Sequence, residues 1–156
     1  LADIGDLINA TTNLVTTQFD NINIQTQITS ARKVNCFPSK LGQVFMNIII
    51  NACHAVEEKS QTSKECIPPY KGRLDIVTRE LNNNIEITFK DNGVGMEQET
   101  INKIFEPFFT TKPLGLGTGL GMAITYGIIE EHKGKIHVTS MKEKGTEIFV
   151  TLPIQL

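Results

Sequence analysis

The chain has 156 residues, close to the roughly 150 of one domain and long enough to bury a core without disulfides or a structural metal. Lys and Arg number 15 against 17 Asp and Glu, and a net charge of −2 gives no general reason to expect nucleic acid or an anionic membrane as partner. Hydrophobic residues at 40% and charged residues at 21% exclude bulk disorder, and no apolar run approaches the roughly 18 residues that direct membrane insertion requires. In chain order, Ile4, Leu7, Ile8, Thr11, Leu14, Val15 and Phe19 recur at helical spacing, which predicts a first helix over 3–18. Ile22, Ile24 and Ile28 alternate with polar residues as in a strand. Pro38-Ser39 opens a second helix with Ser39 as its expected N-cap. Its apolar face is Leu41, Val44, Phe45, Ile48, Ile49, Ala52 and Val56. Residues 57–72 turn polar, carry Pro68-Pro69, and read as a surface loop. Strands follow at Leu74–Thr78 and Ile85–Phe89, joined by a hairpin-like turn at Asn82-Asn83-Asn84. Residues 91–118 are loop-rich, with a short helix near 97–104. A third long helix spans about Gly119 to His132. Two closing strands hold Ile136 and Val138, then Ile148, Val150 and Leu152, around a turn at Glu143 to Gly145. Helices and strands each fill one layer, so a two-layer α/β sandwich is the expected packing.

The chain begins at Leu1 rather than Met, without a basic segment leading into an apolar one, so a piece of a longer protein with no signal peptide is expected. Cys36, Cys53 and Cys66 are odd in number and form no CxxC pair. That speaks against a zinc site or a disulfide framework and fits reduced thiols in the cytoplasm. Cys53 falls within the second helix and reads as a small core residue.

Three stretches carry candidate chemistry. Asn47 and Asn51 share one face of the second helix, with Lys40 and His54 near the same stripe. Two amide oxygens in line suit Mg²⁺ riding on nucleotide phosphates; taken alone, the pair is more simply a solvated face or a capping amide. Asp91-Asn92-Gly93-Val94-Gly95-Met96 leaves a strand. Its carboxylate can accept a hydrogen bond from an exocyclic amine, and the glycines let a flat ligand approach; Asp, Asn and Gly also make plain turns. Half of the 12 glycines lie at 93, 95, 115, 117, 119 and 121. The run Gly115-Leu116-Gly117-Thr118-Gly119-Leu120-Gly121 leads into a helix, and backbone N–H groups at such a terminus bind phosphate. It matches neither the Walker A nor the Rossmann spacing. Upstream, Phe105, Phe108 and Phe109 are satellite core or the hinge of a lid, and Lys112 is a surface lysine or a terminal-phosphate contact.

Asn47…Asn51-Ala52, Asp91-x-Gly93-x-Gly95, Phe105-x-Pro107-Phe108, Gly117-Thr118-Gly119-Leu120-Gly121 and Gly145-Thr146, in this order, resemble the catalytic ATP-binding domain of two-component sensor histidine kinases. The resemblance runs from Leu1 to Pro153; each motif is weak alone, and five in this order are highly specific. It implies the Bergerat fold, of α+β class: a mixed, mostly antiparallel sheet of about five strands on three helices. It implies one ATP-binding domain over 1–156 with a lid over about 96–118. Carried over by residue, Asn51 ligates Mg²⁺ and Asn47 lies near the phosphates. Asp91 takes the adenine amino group, with Gly93, Gly95, Met96 and Thr146 around the base. The backbone of Gly117, Thr118, Gly119, Leu120 and Gly121 holds phosphate, and Phe105 and Lys112 belong to the lid side of the nucleotide site. His54 falls where many relatives carry Lys or Arg against the phosphates. Ala55 falls where some relatives place an aromatic residue near the nucleotide. Thr110-Thr111-Lys112 resembles the nitrogen-regulation type of sensor kinase.

Related ATPases of gyrase, mismatch-repair and chaperone type place a water-activating Glu where this chain has Asn47. An amide is a poor general base at neutral pH, so weak hydrolysis is expected and ATP is held for a better nucleophile. In the family that nucleophile is a histidine on a separate helical hairpin, and a response regulator receives the phosphoryl group afterwards. His54, His132 and His137 do not sit in an acceptor-like context, so the acceptor domain is expected elsewhere and the fragment is expected to be monomeric and inactive in autophosphorylation alone. A Bergerat-type ATPase and a nucleotide-binding interaction module are the competing readings.

Overall fold

The computed structural model describes residues 1–30, 32–115 and 117–154. Leu116 of the glycine run lies outside the described residues. Helices α1 (Ile4–Thr16), α2 (Pro38–Thr62) and α4 (Gly121–Glu131) are the long ones, and α3 (Gln98–Lys103) is a short one. A five-stranded sheet has the order β2 (Asn23–Ile28), β4 (Arg73–Leu81), β5 (Asn84–Asp91), β7 (Gly145–Pro153), β6 (Lys135–Met141). β2 pairs parallel to β4 and every other pair is antiparallel, so the sheet is mixed as expected. Two short strands, β1 (Ala2–Asp3) and β3 (Lys33–Val34), form a separate antiparallel ladder that the sequence did not announce.

The strands alternate in burial because successive side chains point to opposite faces. Leu74, Ile76, Ile85, Ile87, Phe89, Ile148, Val150 and Leu152 pack inward against the three long helices. On the other face, Lys90 pairs with Glu147 at 2.7 Å and Arg73 with Asp75 at 2.8 Å. That contrast makes a two-layer sandwich with one solvated sheet face. Cys53 is fully buried, and burial pushes its thiol up to about 12, consistent with a packing role. No described helix is long and apolar enough to cross a membrane.

The boundaries correct three expectations. α2 runs to Thr62, so the polar stretch 57–62 is its solvated last turns and only 63–72 is loop. Glu57, Glu58, Lys59 and Gln61 are good helix formers, and apolar periodicity is blind to a turn with no buried face. Ser39 is not the N-cap. Phe37 occupies that position without a side-chain cap, Pro38 fills the first turn, and the Phe37 N–H donates to His132 Nε2 at 3.0 Å. α4 starts at Gly121 rather than Gly119, which leaves the upstream glycines as loop. The Asn82-Asn83 turn does form, with φ of +50° and +62° at its two central residues, the left-handed pair that tight hairpins require.

Candidate functional site

A cleft of about 620 Å³ lies between α2, the turn after β5, the segment before α4, and the first turn of α4. It brings together Asn47, Asn51, His54, Asp91, Gly95, Met96, Lys112, Gly117, Thr118, Gly119, Gly121 and Thr146. Gly93, Phe105 and Leu120 do not line it. Phe89 and Ile148 contribute apolar lining.

At one end Asp91 is 7% exposed, and burial raises its carboxyl from 3.8 to about 6. The Gly93 N–H, donating to Oδ1 at 2.8 Å, and the Thr146 N–H pull the other way, as does the charge of Lys59. The turn that presents Asp91 is held from three sides. Val94 N–H donates to the Ala55 carbonyl on α2 at 3.1 Å, and Glu143 N–H in the β6–β7 hairpin donates to the Val94 carbonyl at 2.6 Å. The Asn92 amide accepts from the Tyr70 hydroxyl at 3.0 Å and the Arg73 N–H at 2.8 Å, and donates to the Lys71 carbonyl at 2.8 Å. Such crowding explains the glycines. A Cβ on Gly93 would meet the Ala55 carbonyl at 2.7 Å, and Gly95, at φ +65°, lies against the Met141 carbonyl where no side chain fits. Gly93 therefore serves by letting the turn touch α2.

At the other end Asn47 Nδ2 donates to the Gly121 carbonyl at 3.1 Å and to the Thr125 hydroxyl at 3.3 Å. One turn on, the Asn51 side chain is exposed in the cleft. The first turn of α4 has Leu120 as N-cap with no side-chain cap, so its leading N–H groups are left for another acceptor. The segment before α4 reaches α2 through Lys112, whose Nζ lies 2.8 Å from His54 Nδ1. Burial holds the His54 imidazole below its usual range, and Lys112 and Glu57 act in opposite senses, down and up. Nδ1 of the neutral ring thus accepts a hydrogen bond from the Lys112 ammonium. Phe105 packs on Tyr126 of α4 with ring centroids 5.4 Å apart, Phe108 is 75% exposed, and Phe109 lines the cleft.

Among the described residues no three His, Cys, Asp or Glu side chains cluster as a metal site. Among the side-chain oxygens that line the cleft, those of Asn47, Asn51 and Glu58 lie along α2, a set that fits Mg²⁺, which keeps most of its waters and takes only one or two protein oxygens on a nucleotide. Sequence reasoning missed Glu58. It was legible: Asn47, Asn51, His54 and Glu58 fall at i, i+4, i+7 and i+11 of one helix face. Val94, Thr100, Ile104 and Met122 were missed because an apolar cleft wall has the same pattern as core.

Residues 37–156 match the model of the histidine kinase-, DNA gyrase B- and HSP90-like ATPases. The chain belongs to that family. It is 36% identical over 99% of its length to Sporulation kinase E of Bacillus subtilis (strain 168) and 30% identical over 99% to the sensor histidine kinase ZraS of Escherichia coli (strain K12). It spans only 19% and 31% of those two proteins. The nucleotide-free catalytic domain of the histidine kinase ThkA superposes with a TM-score of 0.80 at 25% identity, covering 99% of this chain and 94% of that one. The chain is therefore homologous to sensor histidine kinases and has the Bergerat fold of their catalytic domains. Family membership implies an ATP-binding catalytic role.

Proposed function

We propose that residues 1–156 form the catalytic domain of a two-component sensor histidine kinase, which binds Mg²⁺-ATP and donates the γ-phosphoryl group to a histidine on a separate helical hairpin. The observation that carries this reading is the pairing of a buried carboxylate, Asp91, at one end of the cleft with an uncapped helix terminus and two in-line amides, Asn47 and Asn51, at the other. Asp91 accepts from the adenine amino group, and Gly95, Met96 and Thr146 surround the base. The N–H groups of Gly117 to Gly121 receive phosphate oxygens, and Lys112 supplies a charge to them from the lid over 96–118. Asn51 and Asn47 offer oxygens to the metal, which when bound offsets charge on the transferring phosphoryl group. Catalysis is then mostly positioning and electrostatics.

Transfer rather than hydrolysis follows from Asn47. Its amide cannot take a proton from water, so the site holds ATP without activating its attack. The histidines of this chain are unsuited as acceptors. His132 is 2% exposed, with Nε2 accepting from Phe37 and Nδ1 donating to the Ile128 carbonyl at 2.7 Å, and Val138 faces the core while its neighbour His137 stacks on Phe149 on the opposite sheet face. The partners are thus an acceptor hairpin of the parent kinase and, after it, a response regulator, in the cytoplasm. Labelled ATP with Mg²⁺ and a separately prepared hairpin tests this. Label on the hairpin that requires this chain is the expected outcome; bound nucleotide with an unlabelled hairpin would overturn phosphotransfer.

A further inference from the structure

Ser140 sits on β6, behind the cleft wall, and its hydroxyl has three partners. It lies 2.8 Å from the Met96 N–H, 2.9 Å from the Gly145 carbonyl and 2.7 Å from the Thr146 hydroxyl. The directions follow from counting protons. A carbonyl only accepts, so the single Ser140 hydrogen goes to Gly145. A backbone N–H only donates, so Met96 takes up one Ser140 lone pair. The hydrogen between the two hydroxyls must therefore come from Thr146. With that hydrogen committed to Ser140, Thr146 has only lone pairs to offer a ligand in the cleft.

Thr146 stands opposite Asp91 in the β5–β7 register, and both line the cleft. Asp91 is itself an acceptor whose Oδ1 is held by the Gly93 N–H at 2.8 Å. This end of the cleft consequently presents two acceptors side by side. An exocyclic amino group has two hydrogens and suits such a pair. A carbonyl at the same position would face oxygen on both sides and lose its hydrogen bonds to water without replacement.

We propose that Ser140 is a specificity-determining positioning residue, which selects a 6-amino purine over a 6-oxo purine by fixing the direction of the Thr146 hydroxyl. The inference rests on the reading of the cleft as an adenine-nucleotide site and adds to it a residue that touches no ligand. Without an acceptor at 140, the Thr146 hydroxyl is free to turn and donate to a carbonyl. Discrimination then narrows even though Asp91 and Thr146 are both intact.

The test compares Mg²⁺-ATP with Mg²⁺-ITP, which carries a carbonyl in place of the amino group, by calorimetric titration of the whole chain. The Ser140→Ala variant is expected to narrow the ATP-to-ITP affinity ratio by about tenfold, the size of one misdirected hydrogen bond. The Ser140→Thr variant keeps the hydroxyl and is expected to restore the ratio. A purely structural role would weaken both nucleotides by the same factor in Ser140→Ala, and that result would overturn the proposal. So would a Ser140→Thr ratio as narrow as that of Ser140→Ala. A wild-type chain that binds neither nucleotide overturns the site reading itself.

Discussion

The side-chain nitrogen of Asn47 faces the backbone carbonyl of Gly121 at 3.1 Å, which fixes the Asn47 oxygen on the opposite side. A carbonyl cannot donate, so nothing with two acceptor oxygens is at home at this position. Asn47→Glu, the change that would supply a general base, sets carboxylate against carbonyl at the α2–α4 contact. We expect it to lower the melting temperature, to cost about 1–3 kcal/mol, and to leave hydrolysis slow. Thermal unfolding and a phosphate-release assay check both halves; brisk hydrolysis by a stable variant would show that α4 does not dictate this side chain's orientation.

Asp91 is held above its ordinary range by burial, so it works against folding at neutral pH. Between pH 3.8 and about 6 the native carboxyl keeps a proton that the unfolded chain has released, and stability falls as pH rises through that window. Asp91→Asn should therefore stabilise the ligand-free domain at pH 7 by up to about 3 kcal/mol, with the gain vanishing below about pH 4. The same variant should lose ATP. In the wild type, an amino group that donates to Asp91 favours its ionised form, so ATP affinity should fall as pH drops below about 6. Urea denaturation and ATP titration across pH 4–8 read the two effects separately.

The Lys112–His54 contact predicts a coupled titration. Removing the cation in Lys112→Met takes away one of the influences that lower the His54 pKa, the smaller one after burial, and leaves the raising influence of Glu57 in place. NMR titration of the His54 ring should show a pKa higher in the variant than in the wild type. An unchanged value would mean that the segment around Lys112 does not rest on α2 in solution.

Two glycines should answer oppositely to alanine. Gly95→Ala forces a side chain into the left-handed region against the Met141 carbonyl and should cost at least about 2 kcal/mol, with loss of nucleotide binding. Gly127 is a helical residue of α4 with open space around its Cβ direction, and Gly127→Ala should stabilise by about 0.5–1 kcal/mol without touching the cleft. Melting curves of the two variants give the comparison directly.

Much of the site was legible because its parts are polar or glycine at fixed offsets. Asn47 and Asn51 at i, i+4, Asp91 at a strand end and glycine ahead of α4 each break the pattern of their element, and such breaks are what a sequence shows. What it hid depends on distant partners. The last turns of α2 bury nothing, so no apolar period marked them. Phe37 displaced Ser39 from the N-cap because its N–H found His132, 95 residues further along the chain. Ser140, Tyr70 and Asn92 act through hydrogen bonds to other segments, and Ser140, in phase with Ile136 and Val138 on β6, reads in the sequence as a small inward residue with no sign of those partners. Gly93 was assigned to the base, yet its close neighbour is the backbone of α2.

The parallel pairing of β2 with β4 has a consequence for how the cleft comes into being. α2 is the crossover between those strands, so the helix that carries Asn47 and Asn51 is seated only when Asn23–Ile28 finds Arg73–Leu81. Closing so long a loop costs entropy that local contacts cannot recover early. Hairpins β4–β5 and β6–β7 are built from near neighbours in the chain, whereas the β5–β7 pairing that brings Asp91 to Thr146 is as long-range as the crossover. During folding the two hairpins should precede both the seating of α2 and the joining of Asp91 to Thr146, and pulse-labelled hydrogen exchange should find the β4–β5 and β6–β7 ladders protected before α2.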